Sequence, residues 1–349
     1  MTQFVQLHLL VSYPPANPNR DDAGKPKCAM MGGVNRMRIS SQSLKRAWRT
    51  SDKFDAALAG HLGVRTKHLG AEVKKKLLQA GMDEAKAVEL AAKVAGQFGK
   101  LKKDSTEIEQ LCHIAPEEQA AVDAVVAQLT AGDTLDDKVF SALVKSRHKA
   151  ADVALFGRML AAKPDANTEA AAQVANAITV HAVTLEDDFF TAVDDLNTKE
   201  DTGAGHMGET SFAAGLFYLY LCIDTRLLLE NLQGDKALAA TALESLLEAA
   251  ATISPSGMQN RFGNRVRASY IRAERGSQQP RSLSVAFLKP VAGKDMLTDA
   301  IDRLEKTANS MDAAYGPCVD DKRRLIADAE TSEGSLAELK AFVSEVYRG

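Results

Sequence analysis

The sequence predicts an α+β fold, a sheet core of the ferredoxin-like type interrupted by an inserted block of helices. Three observations carry that expectation. The chain opens on "FVQLHLLVS", with Val5, Leu7, Leu9 and Val11 at period two. Between about Ala56 and Thr179 the composition shifts to Ala, Lys, Glu, Leu and Val with few aromatics. Strand-type sequence then returns in "SFAAGLFYLYLCID", a continuous apolar run of the kind buried on both faces. The order strand, helix, insertion, strand, helix, strand fits an α+β core.

Taken in order, residues 4 to 12 read as a half-buried strand, and a loop rich in Pro, Asn and Gly follows. "MRIS" is a short extended piece, and "SQSLKRAWRTS" has helical spacing with Ser40 or Ser41 as N-cap. "AEVKKKLLQAGMDEAKAVELAAKVAGQF" and "PEEQAAVDAVVAQL" belong to the helical insertion. "AITVHAVTLEDDFFTAVDDL" brings back β-branched and aromatic residues, and the Gly-rich "NTKEDTGAGHMGET" suits an extended hairpin arm. "TRLLLENLQGDKALAATALESLLEAAATI" reads as a helix and "SLSVAFLKP" as a strand. "AGKDMLTDAIDRLEKTANS" and "GSLAELKAFVSEVYR" read as C-terminal amphipathic helices. The expected boundaries are a first core part at 1–57, a helical insertion at 58–180, an arm at 181–211 and a second core part at 212–349.

At 349 residues the chain can bury a core without a staple. Its four cysteines are scattered, with no CxxC pair and no zinc-type spacing, so reduced thiols in a cytoplasm are expected. No signal peptide and no apolar run of membrane-spanning length is present, which points to a soluble protein away from the membrane. The net charge of −3 hides a segregation. From Arg20 to Arg49 eight cations stand against Asp21 and Asp22 alone, and from Gly257 to Arg281 six arginines stand against Glu274. Charge separated on that scale points to a polyanionic partner.

On the predicted helix, Gln42, Lys45, Arg46 and Arg49 form a polar, basic stripe, with Leu44, Ala47 and Trp48 opposite. Free amides at its N-terminus beside Ser40 and Ser41 would suit a phosphate, and Lys45 and Arg49 would continue along the backbone. Gly32 and Gly33 would let a ligand approach the main chain, with Arg20 and Lys27 in the preceding loop. The second cluster mixes Gln259, Asn260 and Arg261 with Phe262 and Tyr270, a combination suited to single-stranded RNA, although a solvated loop or a protein contact explains the arginines nearly as well. Catalytic motifs are absent: no HExxH, GxSxG, Walker A loop or GxGxxG after a strand. The seven histidines are isolated, and the pairs Asp187–Asp188 and Asp194–Asp195 would point to opposite faces of an extended segment. No catalytic residue, metal or cofactor is therefore expected.

The stretch "NRDDAGKPK…GGVNRMRISSQSLKRAWR" resembles the backbone subunit of the type I-E CRISPR surveillance complex Cascade, the CasC family. Further matches follow in order: "GVRTKHL", "ALFGRM", "AITVHAV", "DDFFTAVDDL", "FAAGLFYLYLCID" and "LLENLQG". The resemblance implies an RRM-like palm with an inserted helical finger domain and a β-hairpin thumb. It also implies copies stacked head-to-tail in a helical filament along the crRNA, beside other Cascade subunits, presenting the guide to target DNA. On this sequence it implies that Arg20, Lys27, Arg38, Ser40, Gln42, Lys45, Arg46 and Arg49 hold the guide backbone. It further implies that Arg158 and Met159 wedge at a displaced nucleotide, that Phe190, Thr191 and Val193 pack there, and that Gln259 and Arg261 form a basic turn. The opposing expectation is a metal-dependent RNase that cuts target RNA through Asp194 or Asp195.

Overall fold

A computed structural model of the chain describes residues 3–192 and 206–348. The described strands, in chain order, are β1 (Phe4–Ala16), β2 (Cys28–Met31), β3 (Val34–Ile39), β4 (Val64–Thr66), β5 (Cys112–Ile114), β6 (Ala172–Val174), β7 (Ala177–Thr179), β8 (Glu186–Ala192), β9 (His206–Asp224), β10 (Ala268–Gly276), β11 (Asp321–Ala327) and β12 (Ser332–Glu333). The chain divides into two compact units. One comprises 1–54, 174–222 and 243–346; the other comprises 55–173, 223–242 and 347–349. The helical unit thus takes in 223–242 as well, a stretch the sequence reading assigned to the core.

The first unit is built on a large sheet of order β12-β11-β10-β1-β9-β7-β3-β2, with β8 pairing antiparallel to β9. One face carries Leu10, Leu216, Tyr218, Tyr270 and Ile326 against Ala300, Leu304 and Ala308 of the helix Met296–Tyr315. On the other, Val11, Tyr13, Phe217 and Leu219 lie with Leu44 and Trp48, the apolar stripe of helix α1 (Ser41–Arg49). Both faces being covered, β1 is buried on both sides and runs longer than the half-buried strand expected at 4–12.

Burial of both faces of β1 forces polar partners inward. Gln6 Oε1 accepts from the Tyr220 hydroxyl at 2.8 Å, and His8 Nδ1 lies 2.9 Å from that of Tyr218. Glu274, beside His8 on β10, receives Arg272 at 2.5 Å and Arg281 at 2.8 Å. Burial lowers the His8 pKa and outweighs the pull of Glu274, so the imidazole is held neutral. For Glu274, burial opposes ionisation, but His8 and the guanidinium groups of Arg272 and Arg281 hold its pKa well below the usual carboxylate range. Both folded-state values lie below the unfolded ones, so both contributions are complete above the unfolded value and are lost on acidification. Thermal melts are expected to show stability falling from below about pH 6.5, where an unfolded imidazole takes a proton, with a second loss through the carboxylate range. A flat melting temperature from pH 7 to about pH 5 contradicts a neutral buried His8.

The second unit pairs the ribbon β4–β5 with helices, among them Leu69–Gln79, Glu84–Ala95 and Pro116–Thr130, around Val73, Leu77, Ala91, Val94, Phe98, Val122 and Phe140. No helix among the described residues is long and apolar enough to cross a membrane.

Three expected elements differ. The helix expected at 225–253 is two helices, Thr225–Asn231 and Lys236–Thr252, because Gln233 and Gly234 take positive φ between them. "SLSVAFLKP" forms a 3₁₀ turn, Ser284–Phe287, in which Phe287 is buried and Val285 is exposed. The strand is instead β10, inside the second arginine-rich segment, where ion pairs with Glu274, Glu305, Asp321 and Glu345 make its arginines compatible with a central position.

Candidate nucleic-acid interface

Helix α1 is capped as its sequence indicates: Ser40 Oγ accepts from the Ser43 amide at 3.4 Å. Leu44 and Trp48 anchor it in the core. That anchoring turns Gln42 and Arg46 fully outward and leaves Lys45 and Arg49 half-buried on the flank. Burial lowers the Lys45 pKa, an environment in which a neighbouring anion is worth more than in bulk water.

The amides of Ser40, Ser41 and Ser43 at its N-terminus, however, are already engaged within the protein. The Ser40 amide donates to Asn19 Oδ1 at 2.9 Å and the Ser41 amide to Asn176 Oδ1 at 3.0 Å. The diglycine also serves the fold. Gly32 and Gly33 both take positive φ in the tight turn between β2 and β3, and a Cβ on Gly32 would overlap the carbonyl oxygen of Leu288. Of the cations in the first cluster, Arg36 is buried, donating to the carbonyls of Met31, Thr179 and Phe287.

What remains is a surface organised by a loop. Asn17 Nδ2 donates to Gly24 O at 3.0 Å, while Asp21 Oδ1 accepts from the amides of Ala23 and Lys25, each at 2.9 Å. This tied loop presents Arg20 to a polar cleft of about 500 Å³ whose lining includes Ser43, Arg46, Ser256 and Gly257. Arg20, Arg46, Asp21 and Asp22 all line it, so the cleft itself is balanced in charge. Lys27 and Arg38 are half-exposed neighbours: the Arg38 amide donates to Lys27 O at 2.7 Å. Arg20, Lys27, Arg38, Ser40, Gln42, Lys45, Arg46 and Arg49 are thus gathered on the loop, β3 and α1 of one unit.

The arm is a hairpin of β8 against the start of β9, with Asp188 opposite Thr210 and Phe190 opposite Gly208. Phe190 and Thr191 lie on it; Val193, Asp194 and Asp195 fall outside the described residues. Asp187 and Asp188 do point apart: Asp187 accepts from the Ser211 hydroxyl, and Asp188 lies 3.1 Å from Arg261. Among the described residues no group of three or more His, Cys, Asp or Glu is placed to hold a metal ion.

Two expectations change here. Arg261, on the short turn Gln259–Phe262, is directed at protein, donating to Thr210 Oγ1 at 2.9 Å and to Asp188 and lying 4.4 Å over the Phe190 ring. Gln259 beside it is half-buried. In the helical unit Arg158 is buried, with Glu118 at 2.7 Å and the carbonyls of Ala166 and Lys145 each at 2.9 Å. Met159 next to it is 75% exposed, because the chain alternates there. Sequence reading missed Asn17, Asn19 and Asn176, which shape the loop and the helix entry. The Asn-Pro-Asn run in the loop was the signal for the first two.

The family model of the CT1975-like protein matches residues 5–345. Among solved structures, a chain described as "CRISPR RNA-guided surveillance complex, pre-nicking" is 31% identical, with a TM-score of 0.85, covering 98% of this chain and 99% of that one. A second, described as "CRISPR RNA-guided surveillance complex", is 26% identical with a TM-score of 0.64 over the same shares. No curated protein matches. With the family model spanning nearly the whole chain and the fold shared end to end with a surveillance-complex chain, this protein belongs to the CT1975-like family of Cascade-type CRISPR subunits.

Proposed function

We propose that this chain is the non-catalytic backbone subunit that polymerises along crRNA in a Cascade-type complex and presents the guide to target DNA. The palm of that reading is the large-sheet unit, the finger is the helical unit and the thumb is the β8–β9 arm. The observation that carries it is the anchored basic flank of α1 beside the tied Arg20 loop. Lys45, Arg46 and Arg49 are held by a helix whose other face is buried, while Arg20 and Arg46 line one polar cleft. Cations fixed in a row suit successive phosphates, and phosphate contacts set position without encoding sequence. A guide holder must accept every guide, and sequence is then read by base pairing. A projecting arm suits a head-to-tail contact that does not close, which generates a filament. The structural relatives are chains of RNA-guided complexes, which supports the same reading.

The test offers the assembled complex a complementary target RNA in the presence of Mg²⁺, beside complementary DNA. The expected outcome is pairing with DNA and intact RNA. Regularly spaced, Mg²⁺-dependent RNA cleavage that disappears in an Asp194→Asn, Asp195→Asn variant contradicts the non-catalytic assignment and establishes the RNase reading.

A further inference from the structure

We propose that Arg261 is a positioning residue that locks the root of the arm to the loop carrying Arg20, so that arm and guide-binding loop move as one body. The proposal deepens the backbone reading above and depends on it for its functional meaning.

Three segments of one unit converge at this point. Arg261 reaches both strands of the arm: Asp188 and Phe190 on β8, Thr210 on β9. Register places these on one face, since Asp188 stands opposite Thr210 and Phe190 opposite Gly208. Gly208 has a steric reason to be glycine, because a Cβ there would run into the Phe190 ring on which the guanidinium rests. Behind Arg261, Phe262 packs against Phe212 with ring centroids 5.7 Å apart.

The opposite face of the same root is held independently. Asp187 accepts from the Ser211 hydroxyl and lies 3.7 Å from Lys25 of the loop. Buried Asn17 Nδ2 donates at once to Gly24 O within the loop and to Ser211 O of the arm, at 3.0 and 2.9 Å. The turn that carries Arg261 is seated on this loop too. Gly257 lies so close to the Pro18 carbonyl that a Cβ would overlap it, and left-handed residues, Met258 and Gly263, bound the turn. Arg20, Lys25, Thr210, Ser211 and Met258 accordingly line one polar cleft of about 420 Å³.

Both terminal nitrogens of Arg261 are directed at protein acceptors and its guanidinium carbon lies over the Phe190 ring, the geometry of a clamp. Arg20, by contrast, projects from its loop into open clefts. Engagement of a phosphate by Arg20 and placement of the arm are therefore mechanically one event, and Arg261 sets it.

Hydrogen exchange on the full chain tests this. Arg261→Ala is expected to speed exchange of arm amides at 187–191 and 207–211 by about fivefold, the scale of one exposed ion pair and one cation–π contact. Arg261→Lys, which keeps the charge but loses the plane and the fork, is expected to fall between. Phe190→Leu is expected to raise exchange likewise and stands in should Arg261→Ala fail to fold. In guide binding, Arg261→Ala is expected to weaken affinity about threefold by the same factor at every salt concentration, leaving the salt slope at its wild-type value. Wild-type exchange in both Arg261→Ala and Phe190→Leu overturns the proposal. So does a salt slope lowered by about 0.7, which marks a direct phosphate ligand. A wild-type complex that holds no RNA sinks the backbone reading instead, and the exchange comparison then decides the clamp by itself.

Discussion

Lys45→Ala combined with Arg49→Ala is expected to weaken guide RNA binding by at least about tenfold at physiological salt and to flatten its salt dependence. For a single strand, each phosphate neutralised contributes about 0.7 to the slope of log K against log salt, so loss of two cations lowers it by about 1.4. The loss is expected to be the same for unrelated guide sequences, because a backbone contact carries no sequence information. Helix α1 itself should survive, since its anchors are Leu44 and Trp48 and its cap is Ser40. Fluorescence anisotropy with several oligoribonucleotides between about 50 and 300 mM salt measures both quantities. An unchanged slope contradicts the phosphate assignment, and a loss confined to one sequence replaces it with base recognition.

Arg158→Met is expected to destabilise the helical unit by about 3–5 kcal/mol, the scale of an uncompensated buried charge. The carboxylate left behind, Glu118, is also a cap of the helix Pro116–Thr130: Oε2 accepts from the Ala115 amide and Oε1 from the Lys145 amide, each at 2.8 Å. Removing the guanidinium therefore leaves a buried charge and disturbs a helix start and a loop together. Hydrogen exchange within 116–130 reads this directly, and adding Glu118→Leu is expected to recover part of the loss because it removes the orphaned charge. Wild-type exchange in Arg158→Met, with reduced RNA affinity, would restore Arg158 to the RNA-contacting role that family resemblance suggested. Met159 beside it is exposed.

The contrast between Arg158 and Arg46 shows what the sequence could disclose. Arg46 sits in a helical pattern whose apolar stripe and serine cap are both local, so its exposure follows from periodicity. Arg158 sits in no such pattern, and its partner lies 40 residues away. The same holds for β10: a strand whose residues include Arg272, Glu274 and Arg275 reads as a solvated basic run until the carboxylates that neutralise it are brought in from the helix Met296–Tyr315 and from β11. The arm was legible because a Gly-rich polar stretch separated two strand-like runs, and the later part of β9 because residues 212–223 are apolar without interruption. The amides at the start of α1 were misread because Asn19 and Asn176, which occupy them, are remote in sequence. Local periodicity thus gave the helix that bears the site, whereas long-range hydrogen bonds decided which of its groups face outward.

The guide-bound backbone is tested most directly by co-expression with the neighbouring subunits and a CRISPR array, followed by native mass and nucleic-acid analysis of the purified particle. The expected result is a large particle with several copies of this chain around RNA of uniform length, lost when Lys45 and Arg49 are replaced. A monomer free of RNA, from cells in which the other subunits and the processed guide are present, contradicts it.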